Sequence, residues 1–541
     1  MKTRLILWLA PLLFLLAFFF LPLFRILALA FDSSAFTQKN FQIVLSVTGF
    51  TFYQAILSTI LTFILGVPAA VLFARFNFRG KPLLRALTAV PFMLPTVVVA
   101  AAFNSILGLQ VAGLKLQVFN LQPATLNFLL ILSAHVFYNT TIVIRIVGNA
   151  LSRLDPKLEH VARTLGADTF RVWKNIALPL LRPALFTAAL LVFMFDFTSF
   201  GVILLLGGAN FSTIEVEIYL RLLKLPNLPL AALLSIVQLT FTIIFSVVYS
   251  RAVNRASAQT APRFSISRPP KTLYEKIFVA AFIFLLASFF LLPLISLPVR
   301  SLVRLAADRG QRGEVQYGLT TDYYQELFIN RRDSLFYVPP IQAAANSLGY
   351  ASVTVLLSLA LGYPAAYALA KPTRLEKILN PLVMLPLGAS SVMLGLGFII
   401  TFGRALASPL FVPIAHTIIA LPFVIRALQP AIASIPIRLR ESASALGASP
   451  LRVWQTVDFP ILSRATLSAA TFAFTVSLGE FGATLLLTRP EYPTIPIAIQ
   501  RFLSQPGGLN YGQAMAMATA LLLLTTASIL LIEKIRFTDD L

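Results

Sequence analysis

Apolar runs long enough to cross a bilayer recur about twelve times in this chain, and no other feature restricts its fold as tightly. They lie at roughly 5–30, 49–74, 86–108, 125–150, 183–208 and 228–250. A second set follows at roughly 276–303, 345–370, 378–403, 408–430, 463–488 and 512–533. A helix of about 20 apolar residues spans the hydrocarbon core. Inside lipid the backbone must satisfy its own polar groups, which leaves helices or closed barrels. With 58% hydrophobic and 12% charged residues in 541, and a mean hydropathy of +0.83, the composition falls outside that of soluble domains. The chain is therefore predicted to be an all-α integral membrane protein of about 12 transmembrane helices. Pro68, Pro95, Pro364 and Pro386 sit inside these runs, where neighbouring helices can satisfy the backbone groups that proline frees.

The net charge is +22. Nucleic-acid binding would explain it only with a basic–aromatic platform, and none is present. The better account is the enrichment of Lys and Arg in short cytoplasmic loops of membrane proteins. Placing the N-terminus inside puts about 29 of the 43 Lys and Arg on that side. These include Arg75, Arg79, Lys81, Arg85, Arg251 to Lys276, Lys371, Arg374, Lys377, Lys534 and Arg536. Both termini are then cytoplasmic, and the protein is multi-pass in the inner or plasma membrane. Cysteine is absent, so disulfides, thiol catalysis and thiolate metal sites are excluded. Three histidines, His135, His160 and His416, do not make a histidine-rich metal centre. Lys2 and Arg4 precede the first run, which ends in Ala28-Leu29-Ala30, like a signal-peptidase site. At about 25 residues the run exceeds a signal h-region, so it is read as a retained first helix.

Two polar, basic stretches interrupt the apolar pattern and resemble each other: Glu159–Pro183 and Glu441–Pro460. Gly166 and Gly447 stand 281 positions apart, and a period this long indicates two copies of one unit. At the same offset His135 and Arg145 match His416 and Arg426, Phe200-Gly201 matches Phe481-Gly482, and Leu204–Leu206 matches Leu485–Leu487. Thr213-Ile214 likewise matches Thr494-Ile495. Earlier, Leu65-Gly66-Val67-Pro68-Ala69-Ala70 matches Leu361-Gly362-Tyr363-Pro364-Ala365-Ala366 at an offset of 296. Six spans per half make a parallel repeat, related by an axis along the membrane normal. The predicted organisation is a first half at 1–250, a cytoplasmic linker at 251–275 and a second half at 276–541. The loops of interest lie at 159–183 and 441–464, and the halves are expected to face each other across a central pathway. The polar, Pro/Ser-containing stretch Ala252–Pro270 suits a linker, and Arg304–Pro340 is the longest external segment.

Within each repeated stretch the residues read as helix, glycine turn, capped helix. Ser449 suits an N-cap and Pro450 the first helical position, and Asp168 holds the matching cap position. Gly166 and Gly447 suit the end of the preceding short helix. Pro179 and Pro460 are expected to turn the chain into the next span. The second helix carries Val172, Trp173 and Ile176 on one face, with Arg171 and Lys174 around it. A single copy would suit a helix lying on lipid. Two copies with matched cap, glycine and proline positions favour a shaped protein contact.

These residues resemble the signature loop of permease subunits of binding-protein-dependent ABC importers: Glu-Ala-Ala, three residues, Gly, nine residues, Ile-x-Leu-Pro. The second half has Glu441-Ser442-Ala443, Gly447, Val457 and Phe459-Pro460. The first half has His160-Val161-Ala162, Gly166, Ile176 and Leu178-Pro179, with His160 rather than Glu159 at the glutamate position by spacing. The fused two-permease layout, with Phe200-Gly201 and Ser477-Leu478-Gly479-Glu480-Phe481-Gly482, looks most like the ferric-iron and thiamine transport permeases. The resemblance implies a type I importer-like fold with two coupling loops, Glu159, His160, Ala162, Gly166, Ile176 and Pro179 in one and Glu441, Ala443, Gly447 and Pro460 in the other. Each would seat on a separate ABC ATPase subunit, expected as a homodimer that uses ATP and magnesium. An extracytoplasmic binding protein would deliver a small solute, ferric iron or thiamine. No cofactor is expected on this chain itself. It carries no Gly-x-x-x-x-Gly-Lys-Ser/Thr phosphate loop, so it cannot be the ATPase, and the resemblance implies a pore-forming permease rather than an enzyme.

Asp196 and Glu480 fall in spans five and eleven, where a carboxylate is costly and faces a cavity or a partner. They are candidate pathway residues that attract a cationic solute. The structural reading, which is preferred, is that they pair with Arg145 or Arg426, or cap a broken helix near Gly201 or Gly482. His135 and His416 read more readily as polar packing residues than as ligands. A twelve-helix secondary transporter driven by an ion gradient is the alternative, but it has no use for two capped loops of one spacing. A membrane enzyme would need a paired-carboxylate or His-rich cluster, and none is found.

Overall fold

The computed structural model describes residues 2–107, 110–111, 114–115, 123–208, 211–257, 267–304, 318–330, 337 and 339–538. The middle of the predicted linker, 258–266, and residues 305–317, 331–336 and 338 of the predicted external segment lie outside the described residues. The protein is nearly all helical. In the first half the helices are α1 (Ile6–Ala30), α2 (Gln38–Arg75), α3 (Lys81–Ala89), α4 (Thr96–Leu107), α5 (Pro123–Leu151), α6 (Pro156–Thr164), α7 (Phe170–Phe197), α8 (Gly201–Leu206), α9 (Ile214–Leu223) and α10 (Leu228–Val253). In the second half they are α11 (Leu273–Leu302), α12 (Pro340–Ala370), α13 (Arg374–Met384), α14 (Ser391–Phe402), α15 (Phe411–Ser434), α16 (Ile437–Ala445), α17 (Pro450–Gly479), α18 (Gly482–Leu487), α19 (Ile495–Leu503) and α20 (Gly508–Thr538). Among the described residues nine helices are long and apolar enough to cross a membrane, or eleven if each of two bent pairs is one pass. With α20 in the twelfth apolar run, the fold is the all-α membrane architecture that the apolar pattern predicts.

Two of the passes expected, at 86–108 and 378–403, are sharply bent. Lys81–Phe92 and Thr96–Ile106 meet at 108°, and Arg374–Gly388 and Ser391–Ala407 meet at 99°. Proline follows the first break directly and lies in the turn before the second. Leu94 precedes Pro95 and is extended (ψ 145°), because the proline ring disfavours the helical region for the residue before it. In the second half a 3-10 turn, Leu385–Gly388, carries Pro386. The chain then restarts at Ser390, whose hydroxyl accepts from Met393 N at 3.0 Å, an N-cap.

A second difference concerns Pro179 and Pro460. No turn occurs at either. Helix α7 runs from Phe170 through a π segment, Trp173–Ala177, and on into the span, and α17 does the same through Trp454–Asp458. Leu178 N bonds Trp173 O and Phe459 N bonds Trp454 O, each five residues back. This wider turn sits directly before the proline, where the α ladder would otherwise lose a donor and meet the ring. The helix after each glycine turn is thus the protruding start of a span.

The described chain forms two compact units, one of Met1–Ala35, Ile218–Ile236 and Ala306–Leu541, the other of Phe36–Glu217 and Val237–Leu305. In the second-named unit α2, α5 and α7 pack together through Ala70, Val143, Val147, Leu181, Ala188 and Val192. Gly66 permits the approach: a Cβ there would lie 2.7 Å from Val143 Cβ. The first-named unit repeats this with α12, α15 and α17, where a Cβ on Gly362 would lie 2.6 Å from Val424 Cγ1. Val143 and Val424 are themselves 281 positions apart.

The leading helix of each half packs with the other half's sequence. Helix α1 lies against α14, where a Cβ on Gly397 would meet Pro22 Cβ at 2.9 Å. Trp8 Nε1 on α1 also donates to Glu376 Oε1 at 3.4 Å. Helix α11 lies against α4 and α5: Ser296 and Ser105 hydroxyls are 2.5 Å apart, and Phe290 and Phe137 ring centroids are 5.3 Å apart.

Candidate functional site

Each loop is built by local chemistry that the repeat duplicates. Helix α6 ends in a left-handed glycine, Gly166 at φ 83°, and α16 ends the same way at Gly447, φ 82°. Gly166 N bonds Arg163 O and Ala167 N bonds Ala162 O, both at 3.0 Å. Gly447 N to Ser444 O and Ala448 N to Ala443 O repeat the pattern at 3.0 and 3.1 Å. These are C-terminal caps of the Schellman type. The next helix is capped in both copies: Asp168 Oδ1 accepts from Arg171 N at 2.8 Å, and Ser449 Oγ from Arg452 N at 3.4 Å.

The turn presents apolar side chains outward at matched positions. Leu165 is 82% exposed and Leu446 89%; Phe170 and Leu451 are 70% and 66% exposed. Leu158 and Leu439 add a third exposed pair. Behind them Val172 and Val453 are buried, and Trp173 and Ile176 are half-buried. The helix thus anchors one face and leaves the other unpartnered. His160, Gly166, Glu441, Gly447 and Pro460 are exposed, while Ala162, Pro179 and Ala443 are half-buried.

Glu159 does not project from its loop. Arg75 Nη1 donates to Glu159 Oε2 at 3.3 Å and Nη2 also bonds Oε1. The Arg75 guanidinium also lies over the Trp173 ring, 5.3 Å from its centroid. In the second loop the matched position is Arg440, whose Nε donates to Asp458 Oδ1 at 2.7 Å. Tyr367 Oη donates to Asp458 Oδ2 at 3.0 Å. The same position thus carries an anchoring charge of opposite sign in the two copies. Glu441 has no ion-pair partner among the described residues. Sequence reading missed Arg75, Tyr367, Arg440 and Asp458; the sign reversal between Glu159 and Arg440 was the available signal.

The membrane carboxylates are met by histidine, not by Arg145 or Arg426. On α5, His135 Nδ1 lies 3.0 Å from Ser58 Oγ and 3.6 Å from Asp196 Oδ1, and its Nε2 lies 2.8 Å from Ser199 Oγ. Asn139 Nδ2 donates to Asp196 Oδ1 at 2.7 Å, and Gln54 Nε2 donates to the Asp196 carbonyl at 2.7 Å. Oδ2 of Asp196 has no partner among the described residues. On α15, His416 Nδ1 lies 2.7 Å from Ser477 Oγ, and its Nε2 lies 2.8 Å from Thr484 Oγ1 and 3.2 Å from Glu480 Oε2.

Glu480 closes the start of α18. Its Oε1 accepts from Ala483 N at 2.8 Å, and Oε2 accepts from Thr484 N at 2.9 Å and Thr484 Oγ1 at 2.6 Å. A Cβ on Gly482 would fall 2.2 Å from Ser391 Oγ and 3.2 Å from Ser391 Cβ, so glycine seats α18 close to α14 without displacing that serine. A third duplicated contact flanks each node: Ile214 N donates to Thr51 Oγ1 at 3.1 Å, and Ile495 N to Ser347 Oγ at 2.9 Å.

The duplicated loop and the duplicated polar node lie in a chain that is similar to permease components of binding-protein-dependent transport systems. Residues 62–258, which contain the first loop, match the family described as binding-protein-dependent transport system inner membrane component. Over most of its length the chain is similar to the thiamine transport system permease protein ThiP of Brucella abortus, 28% identical over 487 residues, 87% of this chain and 84% of that one. The protein of the same description from Escherichia coli K12 is 26% identical over 501 residues, 90% of this chain and 88% of the relative. A probable ABC transporter permease protein of Sinorhizobium fredii is 24% identical over 467 residues, 83% of this chain and 80% of that one. These relatives are permease subunits rather than enzymes, and the alignments run through both halves.

Proposed function

We propose that this chain forms the translocation pathway of an ATP-driven importer for a thiamine-type cationic solute, and that its two loops seat on a separate ATPase. The observation that carries the coupling role is the matched exposure of Leu165 with Leu446 and of Phe170 with Leu451 at the tips of two identically capped turns. Large side chains this exposed, held in register by a glycine cap, are suited to a cleft on a partner. ATP-driven approach of the two partner subunits would pull both loops together and rock the halves. Similarity to thiamine permeases over more than four-fifths of the chain supports the solute class. The loops would then face the cytoplasm, where the ATPase is, and an extracytoplasmic binding protein would supply the solute.

Asp196 and Glu480 act in this reading as parts of the polar nodes that hold the breaks after α7 and before α18. Both oxygens of Glu480 are already engaged by Ala483 and Thr484, which supports a structural duty over solute attraction in this conformation.

The test is the double variant Leu165→Glu, Leu446→Glu. Both sites are open to solvent, so the protein should insert and keep its melting temperature. Co-purification of the ATPase should fall below a tenth, and ATP-dependent thiamine uptake should be lost. Replacing Gly166 and Gly447 instead would add backbone strain, about 1–2 kcal/mol for a left-handed residue, and blur the result. Retained ATPase and normal uptake would remove the docking role. Uptake of ferric iron but not thiamine would move the solute assignment, and uptake that survives ATP depletion at a held ion gradient would indicate a secondary transporter.

A further inference from the structure

A cavity of about 450 Å³ opens beside the C-terminal ends of α2 and α5 and the start of α3. This is the end of the unit where Arg75 holds Glu159. Lys81, Arg85 and Arg145 line it, and no carboxylate does among the described residues. Three like charges facing one space repel one another unless an anion joins them.

The protein uses little of their hydrogen-bonding capacity. Lys81 Nζ spends one of its three donors on Phe76 O at 2.7 Å. The Arg85 guanidinium lies over the Phe73 ring, 5.7 Å from its centroid, a contact that leaves its N–H groups free. Arg145 makes no hydrogen bond or ion pair with any described residue. Asn149, on the helix that carries Arg145, and Ser152 just after it add polar wall.

Cations near helix C-termini are favoured by the macrodipole, but that amounts to about half a charge per helix. It does not account for three converging on a cavity. Nor does the repeat require them. At the matched positions of the second half Lys377 and Arg426 persist, but Pro381 replaces Arg85 and Pro430 replaces Asn149. Glu376 stands in that turn, buried and bonded to Trp8. A cluster kept only for packing would recur with its copy.

We propose that this cavity binds a phosphate-bearing anion, either the headgroup of an anionic lipid or a free phosphate compound. Arginine forks match phosphate oxygens bidentately, and basic pockets between membrane helices suit anionic headgroups. The site is unsuited to a cationic solute, so it stands apart from the transport pathway and does not depend on that reading.

The test uses the purified full chain in nanodiscs and has two arms. In the first, lipid retained by wild type is compared between phosphatidylglycerol and phosphatidylcholine discs by native mass spectrometry. In the second, inorganic pyrophosphate is titrated into phosphatidylcholine discs and followed by calorimetry. Binding in the lipid arm assigns a headgroup, in the pyrophosphate arm a free phosphate compound, and in both the shared chemistry. The variant Arg85→Gln, Arg145→Gln should weaken whichever is seen by about 30-fold, while Arg426→Gln should leave it unchanged. Both substituted arginines are exposed, so the variant should melt with wild type in ligand-free phosphatidylcholine. The single variants give intermediate affinities if the double variant does not insert. No binding in either arm, or binding unaffected by the arginine variants, overturns the proposal.

Discussion

His135 and His416 occupy matched positions, yet a carboxylate approaches the first from its Nδ1 side and the second from its Nε2 side. The repeat offset explains the inversion. Asp196 corresponds to Ser477, and Ser199 corresponds to Glu480. Each histidine bridges the same two positions, and the halves have exchanged which one holds the acid. The consequence is electrostatic. Asp196 lies in the last turn of α7, at the negative end of a helix dipole, with one oxygen unpartnered. Glu480 lies at the start of α18, where free N–H groups favour a negative charge, and both its oxygens are engaged. The polar node is present in both halves with its charge three residues apart, and the backbone satisfies the acid better in the second.

The largest effect that separates the halves should come from Glu480→Ala. Removing a buried, hydrogen-bonded acceptor and freeing two N–H groups should cost about 3 kcal/mol, measured by denaturant unfolding in detergent. The matched change, Ser199→Ala, should cost about 1 kcal/mol. Equal losses would mean that the nodes are wired alike after all. Next are the tight glycines, where the halves should agree. Gly66→Ala and Gly362→Ala should each destabilise by about 2 kcal/mol through overpacking. Val143→Ala and Val424→Ala should each recover part of that loss in the same assay. Recovery in one half only would show that the helix triads are not equivalent.

Asp196→Asn should be milder, about 1 kcal/mol, because only one oxygen is bonded. Its thermal midpoint should fall less than that of Glu480→Gln, whose new amide would oppose a backbone N–H. The smallest effects concern the loop anchors. Arg75→Ala and Arg440→Ala break partly exposed ion pairs worth up to about 1 kcal/mol. The charge-reversed double variant Arg75→Glu, Glu159→Arg should regain most of that stability if the pairing, rather than its sign, matters.

The spans, the repeat and the loop caps were legible because each rests on local rules. Apolar length, a matched glycine, and Asp168 or Ser449 three residues before the N–H they accept from are all visible in one dimension. The bends at Leu94-Pro95 and before Ser390 were half legible: the prolines stand in the sequence, but proline alone does not distinguish a kink from a reversal. The π segments before Pro179 and Pro460 were not legible, because nothing in the residue types distinguishes a five-residue turn from a break. For Glu480 the cap near Gly482 was among the readings of the sequence, whereas pairing of either acid with Arg145 or Arg426 does not occur among the described residues. Arginine is the usual choice of counter-charge, and histidine one helix away is indicated only by the three-dimensional register. The repeat offset sets Asp196 against Ser477, so the two acids are not a matched pair.

The placement of α1 and α11 bears on how such a gene can be cut. A fragment ending near residue 250 would lack α11 and its contacts to Ser105 and Phe137; a fragment beginning after it would lack α1 and its contacts to Gly397 and Glu376. Neither piece would be a self-sufficient folding module, and two separately translated pieces would have to trade their leading helices. Joining them in one polypeptide guarantees that each donor helix is delivered once, to one recipient, during insertion.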